Sequence, residues 1–104
     1  MIRLPRLALA FGLSLACQAA LAGNAANGAR IYQMHCMACH GIGGKPIMQN
    51  APSFSRAERL AQPDFVLANS VKTGKGQMPP FLGILKEQDI YDALAYIRTL
   101  PTSR

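Results

Sequence analysis

Residues 36–40 read CMACH, and this stretch constrains the fold of the chain more than any other. It places two of the three cysteines and one of the two histidines of the 104 residues within five positions. A disulfide between Cys36 and Cys39 would close a very short loop, which contributes little stability. A structural zinc site requires four ligands, and His35, directly before Cys36, is poorly placed to share a tetrahedral site. A thioredoxin-like redox pair is expected beside a βαβ pattern, and no strand pattern appears nearby, so these three uses of the motif are weakly supported.

The N-terminal segment has the three parts of a secretory signal peptide. Residues 1–6 carry two arginines and no acid, residues 7–15 form an apolar run, and the segment ends in Ala20-Leu21-Ala22. This order predicts export and cleavage after Ala22, and the apolar run is too short for a comfortable membrane span. We therefore predict a signal peptide at residues 1–22 and one domain at residues 23–104, located in the periplasm without a stable membrane anchor. The alternatives are an uncleaved anchor and a lipoprotein signal at Cys17, which Ser14 disfavours.

Removal of the signal peptide would leave a small basic domain of 82 residues. Without Arg3 and Arg6, nine basic residues stand against five acidic ones, a formal net charge of +4. The domain has no run of Lys and Arg and no basic aromatic stripe, so we expect no nucleic-acid partner. A domain this short is difficult to stabilise by burial of side chains alone. Something beyond the side chains must supply part of its core.

The spacing C-x-x-C-H is typical of haem attachment in c-type cytochromes. Each thiol adds to one vinyl group of the haem and forms a thioether, and two intervening residues let both sulfurs reach adjacent vinyl groups at one porphyrin edge. His40 follows directly, so its Nε2 atom can turn under the ring and bind the iron. The large apolar ring would also supply the missing core. We therefore predict one haem c, covalently attached through Cys36 and Cys39, with His40 as an iron ligand.

A second iron ligand is expected, because electron-transfer haems usually have two, often His and Met. Met34 and Met37 flank the attachment motif and cannot easily reach the far face of the ring, and Met48 lies only eight residues after His40. Met78 lies 38 residues after His40 in KGQMPPF, where two prolines stiffen the loop. Methionine is more often simple core filler, and we assign that role to the other three. Met78 is the predicted second ligand.

Periodicity and capping signals predict a small all-α domain with little or no sheet. Helices are predicted over 24–33, over a short part of 53–60, from Gln62-Pro63-Asp64 to Gly74, and over 87–100, with a loop over 40–52. Glycine within a helix costs roughly 1 kcal/mol relative to alanine, so Gly28 indicates that another helix approaches closely. The expected inward-facing residues are Phe65, Val66, Leu67 and Val71 in the third helix and Ile90, Ala93, Leu94, Ile97 and Leu100 in the last, with Ala93 and Tyr96 opposite Gly28.

These features resemble a class I cytochrome c over nearly all of residues 23–101. The motifs that carry the resemblance are Gly28-x-x-x-Tyr32, CMACH followed by Gly41, Pro52, Gly76-x-Met78-Pro79 and YDALAYIRTL at residues 91–100. The resemblance implies a class I cytochrome c fold around one haem, with the first and last helices crossing near perpendicular at the glycine. It also implies that the Pro52 carbonyl accepts the Nδ1 proton of His40, a bond that would set the orientation and basicity of the ligand. Within the family, DFVLANSVKTGKGQMPPF at residues 64–81 is similar to the short cytochromes associated with haem-d-type nitrite reductases of denitrifying bacteria.

The predicted function is one-electron transfer rather than enzyme catalysis. Iron bound by both His40 and Met78 would have no open position for a substrate, and no distal acid–base pair of the kind that a peroxidase needs is present. We expect a monomer that meets redox partner proteins, such as a nitrite reductase or its maturation proteins, and that serves denitrification. The alternative is an accessory role in maturation of the nitrite reductase haem, as a redox partner or haem carrier. The lysines that could surround the exposed haem edge are Lys45, Lys72, Lys75 and Lys86.

Overall fold

The computed structural model describes residues 23–103, and the predicted signal peptide at residues 1–22 lies outside them. The described part contains four α-helices: α1 (Ala25–Ile31), α2 (Met37–His40), α3 (Asp64–Thr73) and α4 (Glu87–Ile97). Short 3-10 turns lie at Ile42–Gly44 and Phe54–Arg56. Between residues 23 and 103 there is no strand, and the two β-bridges, Lys75 with Met78 and Leu82 with Leu85, are isolated. The all-α prediction is therefore confirmed.

The first helix begins at the predicted cap but does not end where the sequence suggested. The Asn24 side chain accepts hydrogen bonds from the backbone N–H groups of Ala26 and Asn27, which caps α1. Instead of ending at residue 33, the helical path continues through a π-helical turn, Tyr32–Cys36, into α2. The wider turn is closed by the Met37 N–H, which donates to the Tyr32 carbonyl. The attachment motif consequently lies on a helical segment rather than in a loop.

The helices α1 and α4 pack directly against each other at Gly28. A Cβ atom added at Gly28 would lie 1.8 Å from the Asp92 carbonyl oxygen and 2.9 Å from the Tyr96 Cβ. No L side chain fits at that distance, so glycine is required for the close approach of the two helices. The predicted role of Gly28 is confirmed, with Asp92 rather than Ala93 as its nearest neighbour.

The predicted apolar stripe of α4 forms the centre of the core, whereas one residue predicted to be buried on α3 is exposed. The five stripe residues, Ile90, Ala93, Leu94, Ile97 and Leu100, are all at most 9% exposed. On α3, Leu67 and Val71 pack against the core and Ala68 is buried, but Phe65 is 69% exposed. Phe65 lies two residues before Leu67, about 200° round the helix, so a narrow buried face cannot include both.

The segment between the attachment motif and α3 is built mainly from turns. The predicted helix within residues 53–60 is a single 3-10 turn, because Ala57 has φ 60° and Arg59 has φ 71°, and these left-handed conformations interrupt a right-handed helix. In the part of the chain that the structure describes, no helix is long and apolar enough to cross a membrane.

Candidate functional site

The His40 side chain is buried and held from both sides. It ends α2, is 8% exposed, and stacks on the Phe54 ring with a centroid distance of 4.7 Å and an interplanar angle of 18°. Gly41 turns the chain away directly after it with φ 82°, where an added Cβ would lie 1.6 Å from the Lys45 carbonyl oxygen. The Tyr32 hydroxyl donates to the Gly41 carbonyl over 2.6 Å. These contacts leave the imidazole little freedom to rotate.

The electrostatics of His40 suit a metal ligand. Burial lowers the pKa of His40, and the Pro52 carbonyl raises it by a smaller amount, so the ring is kept neutral. The buried Nδ1 atom has no hydrogen-bond partner among the described residues. The Pro52 carbonyl is thus close enough to act on the imidazole but does not reach hydrogen-bonding geometry with Nδ1. A buried polar atom without a partner needs an explanation, and a neutral imidazole is the form that binds metals.

Cys36 and Cys39 carry free thiols, and neither a zinc site nor a reactive redox pair fits them. Burial and the neighbouring Cys39 raise the pKa of the Cys36 thiol to about 11. A reactive thiol needs a lowered pKa, so Cys36 lacks the thiolate character of a redox cysteine. Among residues 23–103, no group of three or more His, Cys, Asp and Glu side chains could hold a metal ion. Attachment to a larger group remains the use of these thiols that the site supports.

Met78 lies in a tight turn that is anchored to the end of α3. Lys75 and Met78 exchange backbone hydrogen bonds of 3.0 Å, and Gly74 has φ 81° where the helix ends. Beyond the two prolines, the Phe81 and Leu82 N–H groups donate to the Val71 and Lys72 carbonyls over 2.9 and 3.2 Å. The loop is therefore bonded to itself at Met78 and to the end of the helix just beyond it, which limits movement of Met78.

One cavity of about 490 Å³ brings all five predicted site residues together, and its volume lies in the usual range for ligand sites. Cys36, Cys39, His40, Pro52 and Met78 all line it. Its walls are mainly apolar and include Phe54, Leu67, Phe81 and Leu94. The cavity offers two thiols, an imidazole and a thioether to one bound group.

The cavity is also lined by residues without a predicted role at the site. Met48 is one of them, and its assignment as core filler is wrong, as is that of Met34, because Met48 is 37% exposed and Met34 is 64% exposed. His35 also lines the cavity, with its ring edge against Phe81 at a centroid distance of 6.0 Å. Polar residues without a predicted role at the site also come from the turns between His40 and α3, namely Gln49, Asn50, Arg59 and Gln62. Only their meeting in three dimensions distinguishes them, since they come from segments without a motif.

Known proteins resemble the chain throughout this domain. The family model for cytochrome c oxidase, cbb3-type, subunit III matches residues 23–97. Cytochrome c6 of Thermostichus vulcanus is 37% identical over 95 residues, which cover 88% of this chain and 82% of the relative. Cytochrome c6 of Thermosynechococcus vestitus is 37% identical over 83 residues, which cover 76% of this chain and 72% of the relative.

Solved structures have the same fold. The KustC0563 c-type cytochrome superposes with a TM-score of 0.66 at 25% identity, covering 72% of this chain and 98% of that one. Cytochrome c6 of the diatom Phaeodactylum tricornutum superposes with a TM-score of 0.62 at 28% identity, covering 72% and 91% of the two chains. The helices that position His40 and Met78 therefore follow an arrangement found in other proteins.

Proposed function

This chain belongs to the monohaem class I c-type cytochromes and is similar to cytochrome c6, and from this premise we propose that His40 and Met78 bind the iron of its haem. Two properties follow from the family. The chain carries one haem c attached through Cys36 and Cys39, and it transfers electrons with redox partners rather than catalysing a reaction. The observation that carries the proposed ligation is that His40 and Met78 line the same cavity as both cysteines. The haem supplies a one-electron ferric/ferrous couple when bound.

The proposed roles of the protein residues follow from their rigidity. His40, stacked on Phe54, keeps its neutral ring directed into the cavity, and the bonded turn that ends at Met78 limits movement of the thioether. A pair of fixed ligands changes little between two oxidation states, which suits a carrier. With both residues bound to it, the iron would have no open position for a substrate while Met78 is in place.

Pro52 is the proposed partner of the imidazole in the haem-loaded protein. Its carbonyl already raises the pKa of His40, although no hydrogen bond to Nδ1 is formed. A small shift of the ring towards the Pro52 carbonyl would satisfy the buried Nδ1 proton. Such a bond orients a metal-binding histidine and increases its basicity.

Substitution of two methionines that line the same cavity would test the ligation. Met78→Ala should open one axial position, lower the reduction potential, abolish the weak absorption band near the red end that His/Met iron gives, and admit carbon monoxide. Met48→Ala removes the same side chain from another part of the cavity, so its spectrum should match that of the wild type. If the two variants exchange these behaviours, the assignment of Met78 is wrong.

The proposed site of action is the periplasm, with a haem-d-type nitrite reductase as the electron acceptor in denitrification. The support is the signal-like N-terminal sequence and the similarity of residues 64–81 to the cytochromes associated with that enzyme. Mixing the reduced monomer with such a reductase in a stopped-flow instrument should show rapid oxidation of the haem. Deletion of the cytochrome gene provides a second test, in which the haem content of the reductase is measured in the cells. A cytochrome that does not reduce the purified reductase, together with a reductase that lacks its haem in the deletion strain, would contradict the carrier role and favour the accessory role in maturation.

A further inference from the structure

The segment that carries Met78 is the connection between α3 and α4. This α3–α4 connection covers residues 74–86, because α3 ends at Thr73 and α4 begins at Glu87. Most of its residues are exposed to solvent, whereas Met78 is partly buried and lines the cavity. Exposed connections of this kind move easily unless their ends are fixed. The contacts at its two ends therefore affect the position of the thioether.

Lys72 holds the α3–α4 connection through its backbone and reaches α4 through its side chain. Its carbonyl accepts a hydrogen bond from the Leu82 N–H over 3.2 Å, and its amine forms an ion pair with the Glu87 carboxylate. Lys72 lies in the last turn of α3 and Glu87 in the first turn of α4. These are the helix ends at which a cation and an anion, respectively, are favoured. The ion pair thus joins the two ends of the connection, with Met78 between them.

The solvent exposure of this ion pair decides where its effect can be measured. The Lys72 side chain is 27% exposed and the Glu87 side chain is 61% exposed, and a pair this exposed adds little to the free energy of unfolding. Release of Met78 from the iron, however, requires only the α3–α4 connection to open and not the whole domain to unfold. A contribution that is small for the domain can therefore be a large part of what opposes this local opening.

A second ion pair lies at the opposite end of the same two helices. The Arg98 guanidinium donates to the Asp64 carboxylate over 2.8 Å. Asp64 begins α3 and Arg98 directly follows α4, and their side chains are 40% and 35% exposed. Both ion pairs therefore join α3 to α4 at the surface, but the connection that carries Met78 leaves the helices at the Lys72 end alone.

We propose that the ion pair between Lys72 and Glu87 keeps the Met78 thioether within reach of the iron, so that both residues are positioning residues for the ligand. The proposal deepens the proposed function and rests on Met78 being the second ligand. Neither Lys72 nor Glu87 lines the cavity, so they act through the α3–α4 connection. While the pair is intact, the two ends of the connection stay together, and without it they can separate and let Met78 move away.

Binding of imidazole to the ferric, haem-loaded protein measures how readily Met78 leaves, because imidazole is a ligand for iron and takes the same axial position. Lys72→Gln and Glu87→Gln should each raise the affinity for imidazole about threefold, as loss of an exposed pair permits. The double variant should also gain about threefold and not about ninefold, because the same interaction is removed in all three proteins. Absorption spectroscopy during titration with imidazole measures the affinities.

Asp64→Asn is the matched control. It removes an acid from the first turn of α3, as Glu87→Gln removes one from the first turn of α4, and each variant breaks one ion pair between the two helices. Denaturant titration should show a similar loss of stability in both. The affinity of Asp64→Asn for imidazole should nevertheless stay within about 1.5-fold of the wild type, because its ion pair is remote from the α3–α4 connection.

Three results would overturn the proposal: no gain in affinity in Glu87→Gln, an equal gain in Asp64→Asn, or gains in the two single variants that multiply in the double variant. Met78→Ala separates this failure from failure of the proposed function. If Met78→Ala binds imidazole no more tightly than the wild type, ligation by Met78 is wrong. If Met78→Ala binds it far more tightly while Glu87→Gln does not change, only the role of the ion pair is rejected.

Discussion

At the scale of single residues, one buried carboxylate joins the first and last helices. Asp92 is 4% exposed and accepts hydrogen bonds from the Asn24 N–H and from the Asn27 and Gln88 side chains over 2.7–2.9 Å. Burial alone would raise the pKa of Asp92, but these three bonds together outweigh it and lower the pKa. The ionised carboxylate is therefore the form that stabilises the fold.

Asp92→Asn should destabilise the haem-loaded protein by about 2 kcal/mol at pH 7, because an amide NH₂ would face donors from the other side chains. The contribution of the wild-type carboxylate is present above its ordinary pKa of about 3.9 and is lost as the pH falls through the lower folded value. Between pH 5 and pH 2 the stability difference between wild type and variant should therefore fall by about 2 kcal/mol, which is the whole difference expected at pH 7. Denaturant titration at several pH values measures it.

The control for this variant is Asp89→Asn at neutral pH. Asp89 accepts one hydrogen bond from the Asn27 side chain, over 3.1 Å, and is less buried than Asp92. Its substitution should cost well under half as much stability. An equal loss in both variants, or a difference between wild type and Asp92→Asn that does not change with pH, would contradict the role of the Asp92 charge.

The sequence predicted the residues whose side-chain chemistry or size is required at their position. It did not predict residues whose role depends on the conformation of the surrounding backbone. Cys36, Cys39 and His40 were evident from their spacing, and Gly28 from its cost within a helix. Arg59 was not, because its positive φ depends on the turns around it rather than on its residue type. Phe65 was assigned to the core on hydrophobicity alone, and its exposure follows from the narrow buried face of α3.

At the scale of elements, the Met78 turn depends on the glycine that ends α3. A Cβ atom added at Gly74 would lie 2.8 Å from the Met78 carbonyl oxygen and 2.9 Å from the Pro80 nitrogen. Gly74→Ala should therefore push the turn away from α3 as well as strain the backbone. The expected result is partial or complete loss of the red-end absorption band and easier binding of carbon monoxide, measured by absorption spectroscopy.

Gly83→Ala is the control that separates backbone strain from displacement of the Met78 turn. Gly83 has φ 87°, close to the 81° of Gly74, but nothing lies within 4 Å of its added Cβ. This variant should lose roughly 1–2 kcal/mol of stability from the backbone alone and keep the wild-type spectrum. If both variants lose the band, or if neither does, contact between Gly74 and the Met78 turn does not position the ligand.

The helix α3 and the start of α4 were predictable because these limits have local causes, whereas α4 ends at Ile97 and not at the predicted residue 100. Asp64 and Gly74 delimit α3, and the acids at the start of α4 favour its N-terminus. The π-helical turn at Tyr32–Cys36 was missed because the backbone hydrogen bond that closes it, from the Met37 N–H to the Tyr32 carbonyl, is not specified by any local residue pattern. The turns over residues 53–62 were likewise missed, since Arg98 fixes them from 36 to 38 residues away.

At the scale of the whole molecule, the haem is expected to complete the core. The cavity of about 490 Å³ is lined by residues from α3, α4 and the attachment segment, including the buried core residues Phe54, Ile90 and Leu94. A cavity of this size left empty in so short a chain removes packing contacts from every element.

Cys36→Ala combined with Cys39→Ala should give no covalent haem in mass spectrometry and little cooperative unfolding by circular dichroism. Cys36→Ala alone keeps one thioether and should lie between these limits; a fully folded double variant without haem would contradict the prediction.

The distribution of positive charge over the molecule suits encounter with an acidic redox partner. Lys45, Lys75 and Lys86 are exposed, whereas the Lys72 amine pairs with the Glu87 carboxylate, so Lys72 contributes less to the field than the other three.

If these charges steer association, the second-order rate constant with an acidic partner should fall roughly tenfold or more between about 0.01 and 0.1 M ionic strength, as the screening length shortens from ~30 to ~10 Å. Lys45→Gln should reduce both the rate and its salt dependence, whereas Lys72→Gln, which removes a partly neutralised charge, should reduce them less. Stopped-flow measurement across salt concentrations checks both, and a rate that does not vary with salt would leave the basic surface with a role in solubility alone.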